Sequence, residues 1–342
     1  MHTEEWPSSE LGYRIESTIG AGSLGIVYSA TVTEGLNIGS KVAIKVVNLD
    51  QYSNLNIEDI RKEIQTMRPI YHPSIASYHN CFLTDKILWI IMPLLQWNLE
   101  SLLKTQAPTG FSDEILIASI LRDILITLMY FHQHNKVHRD IKSSNIFINQ
   151  EGKVILSDYG IVSRIKEIVT LTGNYGSPCW TAPEVINNAP STIKSDIWSF
   201  GILALEIIKG KPPYRDYPPL KVMMMITHKT PPILDKKTNC DQLLKEVVNL
   251  CLALDSQRRP NADDLLKKKF FFNSKGVEYV RDILMSSVIA SSRESSSEGN
   301  AEEQKHPRNL KVPIWNFDST SPRVPIAKGE DPFDMMSDND EL

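Results

Sequence analysis

His138-Arg139-Asp140-Ile141-Lys142-Ser143-Ser144-Asn145 puts a carboxylate, an ammonium and a carboxamide two to three residues apart in one polar stretch. Before it runs an apolar, helix-like segment, residues 115–131, and after it a strand-like Ile146-Phe147-Ile148. A carboxylate at Asp140 can accept a proton from an attacking hydroxyl, Lys142 can neutralise a phosphate, and Asn145 offers a side-chain oxygen to a metal ion. These are the parts of a phosphoryl-transfer site, at the spacing H-R-D-x-x-x-x-N. A polar loop between a helix and a strand can also hold these residue types by chance. The reading therefore rests on further motifs in a fixed order.

Upstream, residues 13–33 read as two strands around a glycine turn, Gly20-Ala21-Gly22-Ser23-Leu24-Gly25-Ile26-Val27. Glycine lets backbone N–H groups approach phosphate oxygens with no Cβ in the way. The turn lies between strands and is followed by Val27, which favours a phosphate-covering hairpin over the dinucleotide-binding version that opens a helix. Val42-Ala43-Ile44-Lys45-Val46-Val47 is a strand with one charge inside it, and Lys45 there either points to solvent, as such a lysine usually does, or grips phosphates. Such a lysine needs an orienting carboxylate. Glu63 supplies one from a helical stretch, residues 57–67, whose Ile60, Ile64 and Met67 recur at helical spacing; Glu58 is the alternative. Two more apolar strands are expected near residues 76–83 and 87–92, the second running into Pro93-Leu94-Leu95.

Downstream, the strand Val154-Ile155-Leu156-Ser157 ends at Asp158-Tyr159-Gly160, where Asp158 can hold Mg²⁺ between phosphates. If buried, the Tyr159 hydroxyl needs a partner or costs about 1–3 kcal/mol. Gly176-Ser177-Pro178-Cys179-Trp180-Thr181-Ala182-Pro183-Glu184 follows, and Asp196-Ile197-Trp198-Ser199-Phe200-Gly201 opens an apolar helix to Ile208. Glu184 is expected as a buried carboxylate paired with Arg259, because an unpaired buried charge is very costly.

Composition narrows the setting. The 342 residues, 42% of them hydrophobic, are enough for a sizeable core, and a net charge of −4 gives no case for nucleic-acid binding. Residues 1–9 are polar and carry Glu4 and Glu5, so no secretory signal is expected. Residues 115–131 come nearest to a membrane span, but Arg122 and Asp123 interrupt them, and none is expected. Cys81, Cys179, Cys240 and Cys251 are scattered, which suits free thiols in a reducing, cytoplasmic setting, the nucleus being equally reducing. From residue 286 on, six Lys/Arg face eleven Asp/Glu, and residues 291–304 are Ser/Glu-rich. This reads as a disordered acidic tail over residues 290–342. Its one apolar cluster is Val312-Pro313-Ile314-Trp315-Asn316-Phe317.

In this order the motifs resemble those of the protein kinases, and the resemblance covers residues 13–272. It implies an α+β, two-lobed protein-kinase fold. A small, mostly antiparallel β lobe with one main helix would span 13–94, and a large helical lobe 95–272. A helical extension, 273–289, would precede the tail. Lys142 and Gly176–Trp180 look like Ser/Thr kinases. Residues 61–67, with His72-Pro73-Ser74-Ile75, and Pro212-Pro213-Tyr214-Arg215-Asp216-Tyr217-Pro218-Pro219 resemble the sterile-twenty (germinal-centre) group, most of all its SPAK/Fray subfamily.

The resemblance implies ATP and Mg²⁺, with protein Ser/Thr hydroxyls as acceptors. Asp140 would be the catalytic base, with Lys142, Lys45 and Glu63 beside it, and Asn145 and Asp158 on the metal. The nucleotide site would comprise Ile19, Gly20, Ala21, Gly22, Ser23, Gly25, Val27, Ala43, Lys45, Met92, Leu95 and Phe147. Met92 would sit behind the adenine, and Leu95 would offer it backbone hydrogen bonds, unless this is a plain core strand. A pseudokinase scaffold of the same group is the alternative function. The chain departs from SPAK/Fray kinases at two points. After residue 290 it has too few apolar residues for their peptide-docking domain, and Gly173 stands where an activation-segment threonine is expected. Thr170 or Thr172 would then be the target of an upstream kinase, with Arg139 as phosphate partner, ordinary loop residues being the alternative. Trp315 and Phe317 resemble the W-x-F motif by which kinases of this group bind a helical-repeat scaffold; folding back onto the kinase domain is the alternative.

Overall fold

Strands dominate up to residue 93 and helices beyond it, and the two patterns form separate lobes. The computed structural model describes residues 6–22, 25–52, 57–66, 72–160, 165, 178–228, 231–232, 234 and 240–284; of 59 and 63–66 it describes only the backbone. The chain divides into two units, Met1–Gly299 and Asn300–Leu342. The second unit lies outside the described residues, and with it Trp315 and Phe317. So do Ser23, Thr170, Thr172, Gly173 and the whole of 290–342, so the expected disordered tail is not described.

In the small lobe, β1 (Tyr13–Gly22), β2 (Gly25–Val32), β3 (Lys41–Asn48), β4 (Asn80–Thr84) and β5 (Ile87–Pro93) form one antiparallel sheet in the order β1-β2-β3-β5-β4. β-branched residues suit a pleated surface that is buried on alternate sides. Val42, Ile44, Ile91 and Trp89 pack one face; Val47, Leu88 and Ile90 pack the other against Ile60 of helix α1 (Ile57–Thr66). The strand expected from residue 76 begins only at Asn80. Residues 75–77 are drawn away by backbone bonds to the large lobe, Ala76 N–H to Leu156 O and Leu156 N–H to Ser74 O.

The large lobe holds α2 (Leu99–Gln106), α3 (Glu114–Gln133), α4 (Pro183–Ile186), α5 (Ile193–Lys209), α6 (Pro219–His228), α7 (Gln242–Cys251) and α8 (Ala262–Leu266). A last helix, α9, spans 277–284. A helix apolar on all sides belongs inside. In α5 every residue from Ser195 to Ile208 is buried, and the helix starts three residues before Asp196 because Thr192 and Ser195 form a capping box. Helix α3 is long and apolar enough to cross a membrane by length and composition, yet it is mostly buried in this lobe's core. A second sheet, β6 (Trp97–Asn98), β7 (Ile146–Ile148) and β8 (Val154–Leu156), carries the strand that follows the polar stretch and the one that leads to Asp158.

Candidate active site

The stretch 138–145 runs from the end of α3 into β7, and its conformation is imposed from outside. Arg139 has a positive φ of 72°, and so does Asp158, at 63°. For a non-glycine residue such a conformation is strained and needs compensating bonds. At Arg139 they come from the buried carboxylate of Asp196 on α5. Its Oδ1 accepts the N–H of Arg139 at 2.8 Å, and its Oδ2 accepts that of His138 at 2.8 Å, with His132 Nε2 also on Oδ2 at 3.0 Å. His138 is fully buried. Its Nε2 lies 3.0 Å from Ser157 O, which can only accept, and its Nδ1 accepts the Asp140 N–H at 3.3 Å. Both ring nitrogens are thereby assigned to a neutral imidazole. Burial pushes its pKa below the ordinary 6.5, against the pull of the Asp196, Asp140 and Asp158 carboxylates and the Ser157 carbonyl.

On this scaffold the expected catalytic groups come together. Asn145 donates from Nδ2 to the Asp140 backbone oxygen at 2.8 Å and to its Oδ2 at 2.6 Å. Both bonds use Nδ2, which leaves Oδ1 as the atom suited to a cation. Lys142 Nζ lies 3.2 Å from Asp140 Oδ1. Ser157 ties β8 to the same loop, its N–H reaching Asn145 O at 2.9 Å and its Oγ the same atom at 3.1 Å.

Across the cleft, Lys45 projects from β3 and is nearly buried, its Nζ 2.6 Å from Asp158 Oδ2. Lys45 and Asp158 are thus in direct contact, joining small lobe to large. The side chain of Glu63, expected to orient Lys45, lies outside the described residues. Tyr159 is buried and packs edge-on to Phe131, ring centroids 5.5 Å apart.

Of the residues expected at the nucleotide, the described ones from Ile19 to Met92 lie on β1, β2, β3 and β5. Gly20 pairs with Val27, Ala21 with Ile26 and Gly22 with Gly25, so the glycine segment is a hairpin, not a helix start. A Cβ at Gly25 would collide with the carbonyl oxygen of Val46, so this strand crosses β3 at a distance only glycine allows. Ile19 is exposed on β1, while Ala43 is buried on β3 opposite Met92 of β5. Leu95 lies in the segment between β5 and β6, and half-buried Phe147 sits mid-strand in β7.

The Glu184–Arg259 pair is bidentate, at 2.6 and 2.8 Å. One expectation is corrected: the buried partner is Arg259, at 1% exposure, whereas the Glu184 side chain is 22% exposed. Arg259 also donates to the carbonyls of Ala253, Lys194 and Leu254 and lies over the Trp198 ring, so it is the arginine that the core encloses.

Sequence reasoning missed two residues of the site. These are Asp196 and Glu206, the two acids of the otherwise largely apolar helix α5, and acids inside an apolar helical run are the signal that could have found them. Glu206 accepts Ser143 Oγ at 2.6 Å, Ser143 N–H at 3.3 Å and Trp180 Nε1 at 2.9 Å. Burial raises its carboxyl pKa, and the Ser143 and Trp180 donors partly offset this.

A two-lobed fold with a glycine hairpin, a buried strand lysine and an Asp–Lys–Asn loop in one cleft defines the protein kinase class. The chain belongs to the protein kinase family: the model of the protein kinase domain matches residues 13–271. It is 36% identical over 282 residues to Serine/threonine-protein kinase fray2 of Dictyostelium discoideum, covering 81% of this chain and 27% of that protein. It is 32% identical to Germinal center kinase 3 of Caenorhabditis elegans, covering 94% of this chain and 57% of that protein. With KIC1 of Saccharomyces cerevisiae it shares 40% identity over 78% of its length and 24% of that protein's. The kinship with Fray and germinal-centre kinases expected from the motifs is borne out. The chain spans from about a quarter to under three fifths of these relatives' lengths.

Proposed function

We propose that the chain transfers the γ-phosphoryl group of ATP to Ser or Thr hydroxyls of proteins. The observation that carries this reading is the Asp140 carboxylate, oriented by the Asn145 amide and flanked by Lys142, in a loop whose strained backbone is held by Asp196. Asp140 accepts the proton of the acceptor hydroxyl. Lys142 offsets the negative charge that gathers between acceptor and donor. Lys45 binds the donor's phosphates, and the β1–β2 hairpin covers them with backbone N–H groups.

The donor set fits Mg²⁺. Among the described residues no cluster of three or more His, Cys, Asp or Glu could hold a metal ion unaided. Asn145 and Asp158 therefore offer two oxygen ligands, which suits an ion that takes its remaining ligands from phosphates and water. When bound, Mg²⁺ supplies charge neutralisation of the phosphates. The joint presence of Lys45, Asp140, Lys142, Asn145 and Asp158 in one cleft supports catalysis over a pseudokinase scaffold. The four cysteines are free thiols, which supports a reducing compartment such as the cytoplasm. An upstream kinase acting at Thr170 or Thr172, and a helical-repeat scaffold engaged through Trp315 and Phe317, complete the proposal on the strength of the sequence.

A Ser/Thr peptide library with labelled ATP tests it. Asp140→Asn is expected to lower transfer about 10²–10⁴-fold while nucleotide binding persists. Transfer at the wild-type rate by Asp140→Asn would refute the reading.

A further inference from the structure

Helix α5 carries two buried carboxylates ten residues apart, and both reach the catalytic loop. Asp196 holds the loop's first two N–H groups, at His138 and Arg139. Glu206 holds its far side, at Ser143, the residue after the phosphate-facing Lys142. Ser143 is 1% exposed and Glu206 2%. The Ser143 side chain and backbone both donate to this carboxylate, and the Lys142–Ser143 peptide bond is pinned through the backbone bond. The same carboxylate takes the indole N–H of Trp180, from the turn Pro178–Trp180. That turn is fastened to α5 a second time, by Ser199 Oγ to Trp180 O at 2.7 Å. One buried acid thus joins the loop that carries the base to the Pro178–Trp180 turn.

We propose that Ser143 is a positioning residue: through Glu206 it locks the Lys142–Asn145 half of the catalytic loop to the Pro178–Trp180 turn, so that base and protein acceptor keep one register. It touches neither substrate nor reacting atoms. With three donors supplied from within the protein, Glu206 acts as a structural anchor and not as a subsite for a basic residue of the acceptor. The proposal rests on the kinase reading. Its physical basis is that an unmade bond to a buried carboxylate is costly, and that misplacing reacting groups by about 1 Å can cost 10²-fold in rate.

The test compares wild type, Ser143→Ala, Ser143→Thr, Trp180→Phe and the double variant Ser143→Ala/Trp180→Phe. Measurements are kcat and KM for two Ser peptides, one with arginines and one neutral, nucleotide Kd by direct binding, and melting temperature. Ser143→Ala is expected to lower kcat on both peptides about tenfold, the loss of one charge-assisted hydrogen bond, with nucleotide Kd unchanged. Ser143→Thr, which keeps the hydroxyl, is expected to restore most of that loss. The double variant is expected to lose less than the product of the single losses, because both donors act through one carboxylate. Wild-type kcat in Ser143→Ala would overturn the proposal. So would a loss that tracks a lowered melting temperature with no rescue by threonine, or a loss confined to the arginine peptide. A wild type that binds nucleotide but phosphorylates neither peptide would instead overturn the kinase reading beneath it.

Discussion

At the scale of single residues, the site depends on groups whose states are set by burial. His138 is the plainest case. Its neutral form donates to Ser157 O and accepts from Asp140 N–H, and its pKa in the folded chain is depressed below 6.5. The unfolded chain therefore binds this proton more readily. The stability that follows is fully present above about pH 6.5 and is lost as pH falls through the folded value. Urea midpoints taken from about pH 7.5 down to about pH 5 should decline, and His138→Asn should flatten that decline. An equal decline in the variant would show that other groups dominate. Glu184 and Arg259 form a second pair whose two halves are unequal. Removing Glu184 leaves a buried guanidinium without this counter-ion, and removing Arg259 also strips a donor from the carbonyls of Ala253 and Lys194. Glu184→Ala should cost about 3–5 kcal/mol by denaturant unfolding. A change under about 1 kcal/mol would contradict the pairing seen here.

At the scale of elements, the catalytic loop is shaped less by its own residues than by α5. Asp140, Lys142 and Asn145 were legible in the sequence because chemistry requires those types at that spacing. Lys45 was legible because a lone charge in a β-branched strand is out of place. The strain at Arg139 and Asp158 was not legible, since nothing local favours a positive φ there. At Arg139 it is held across 57 residues by Asp196, a contact that spacing cannot reveal. The same holds for the start of β4, which yields residues 75–77 to the large lobe. Burial of Glu184 was misjudged because a motif identifies a pair but not which member the core encloses. Asp196→Asn puts an N–H₂ where a carboxylate oxygen accepts a backbone N–H. It is expected to lower kcat about tenfold or more while nucleotide affinity persists, read by steady-state rates beside direct nucleotide binding. Unchanged kcat would show that the loop holds its strain without that acceptor.

At the scale of the whole molecule, the folded part runs past the family match. The protein kinase model ends at residue 271, but α9 buries Val280 and Leu284 in the large-lobe core. Lys275 N–H reaches Ser119 Oγ, Tyr279 Oη donates to Asp113, and Gln106 donates to Leu284 O. A Cβ at Gly152, with φ of 84°, would meet the carbonyl of Val277, so the β7–β8 turn and α9 lie in backbone contact. A chain ended after residue 272 should lose about 3–6 kcal/mol relative to one ended after 284, from two aliphatic side chains alone. Equal melting temperatures would refute that. The acidic tail beyond calls for a different measurement, a pull-down with Trp315→Ala/Phe317→Ala beside a melting curve of each. Loss of scaffold binding at unchanged melting temperature is the outcome expected for docking in trans. Unchanged binding with a lowered melting temperature would point to self-packing.

The contact between Lys45 and Asp158 carries one more consequence. Each is the other's counter-ion across the cleft, within 2.6 Å and largely out of water. On the proposed reading, a triphosphate arriving without a cation would draw Lys45 away and set its own negative charge against Asp158. A cation arriving alone would compete with the ammonium already in place. Together, each would supply the partner that the other displaces, as joint keys to one latch. Linkage makes their help mutual and equal. Nucleotide affinity should rise steeply with added Mg²⁺, and Lys45→Met, which opens the latch beforehand, should shrink that rise.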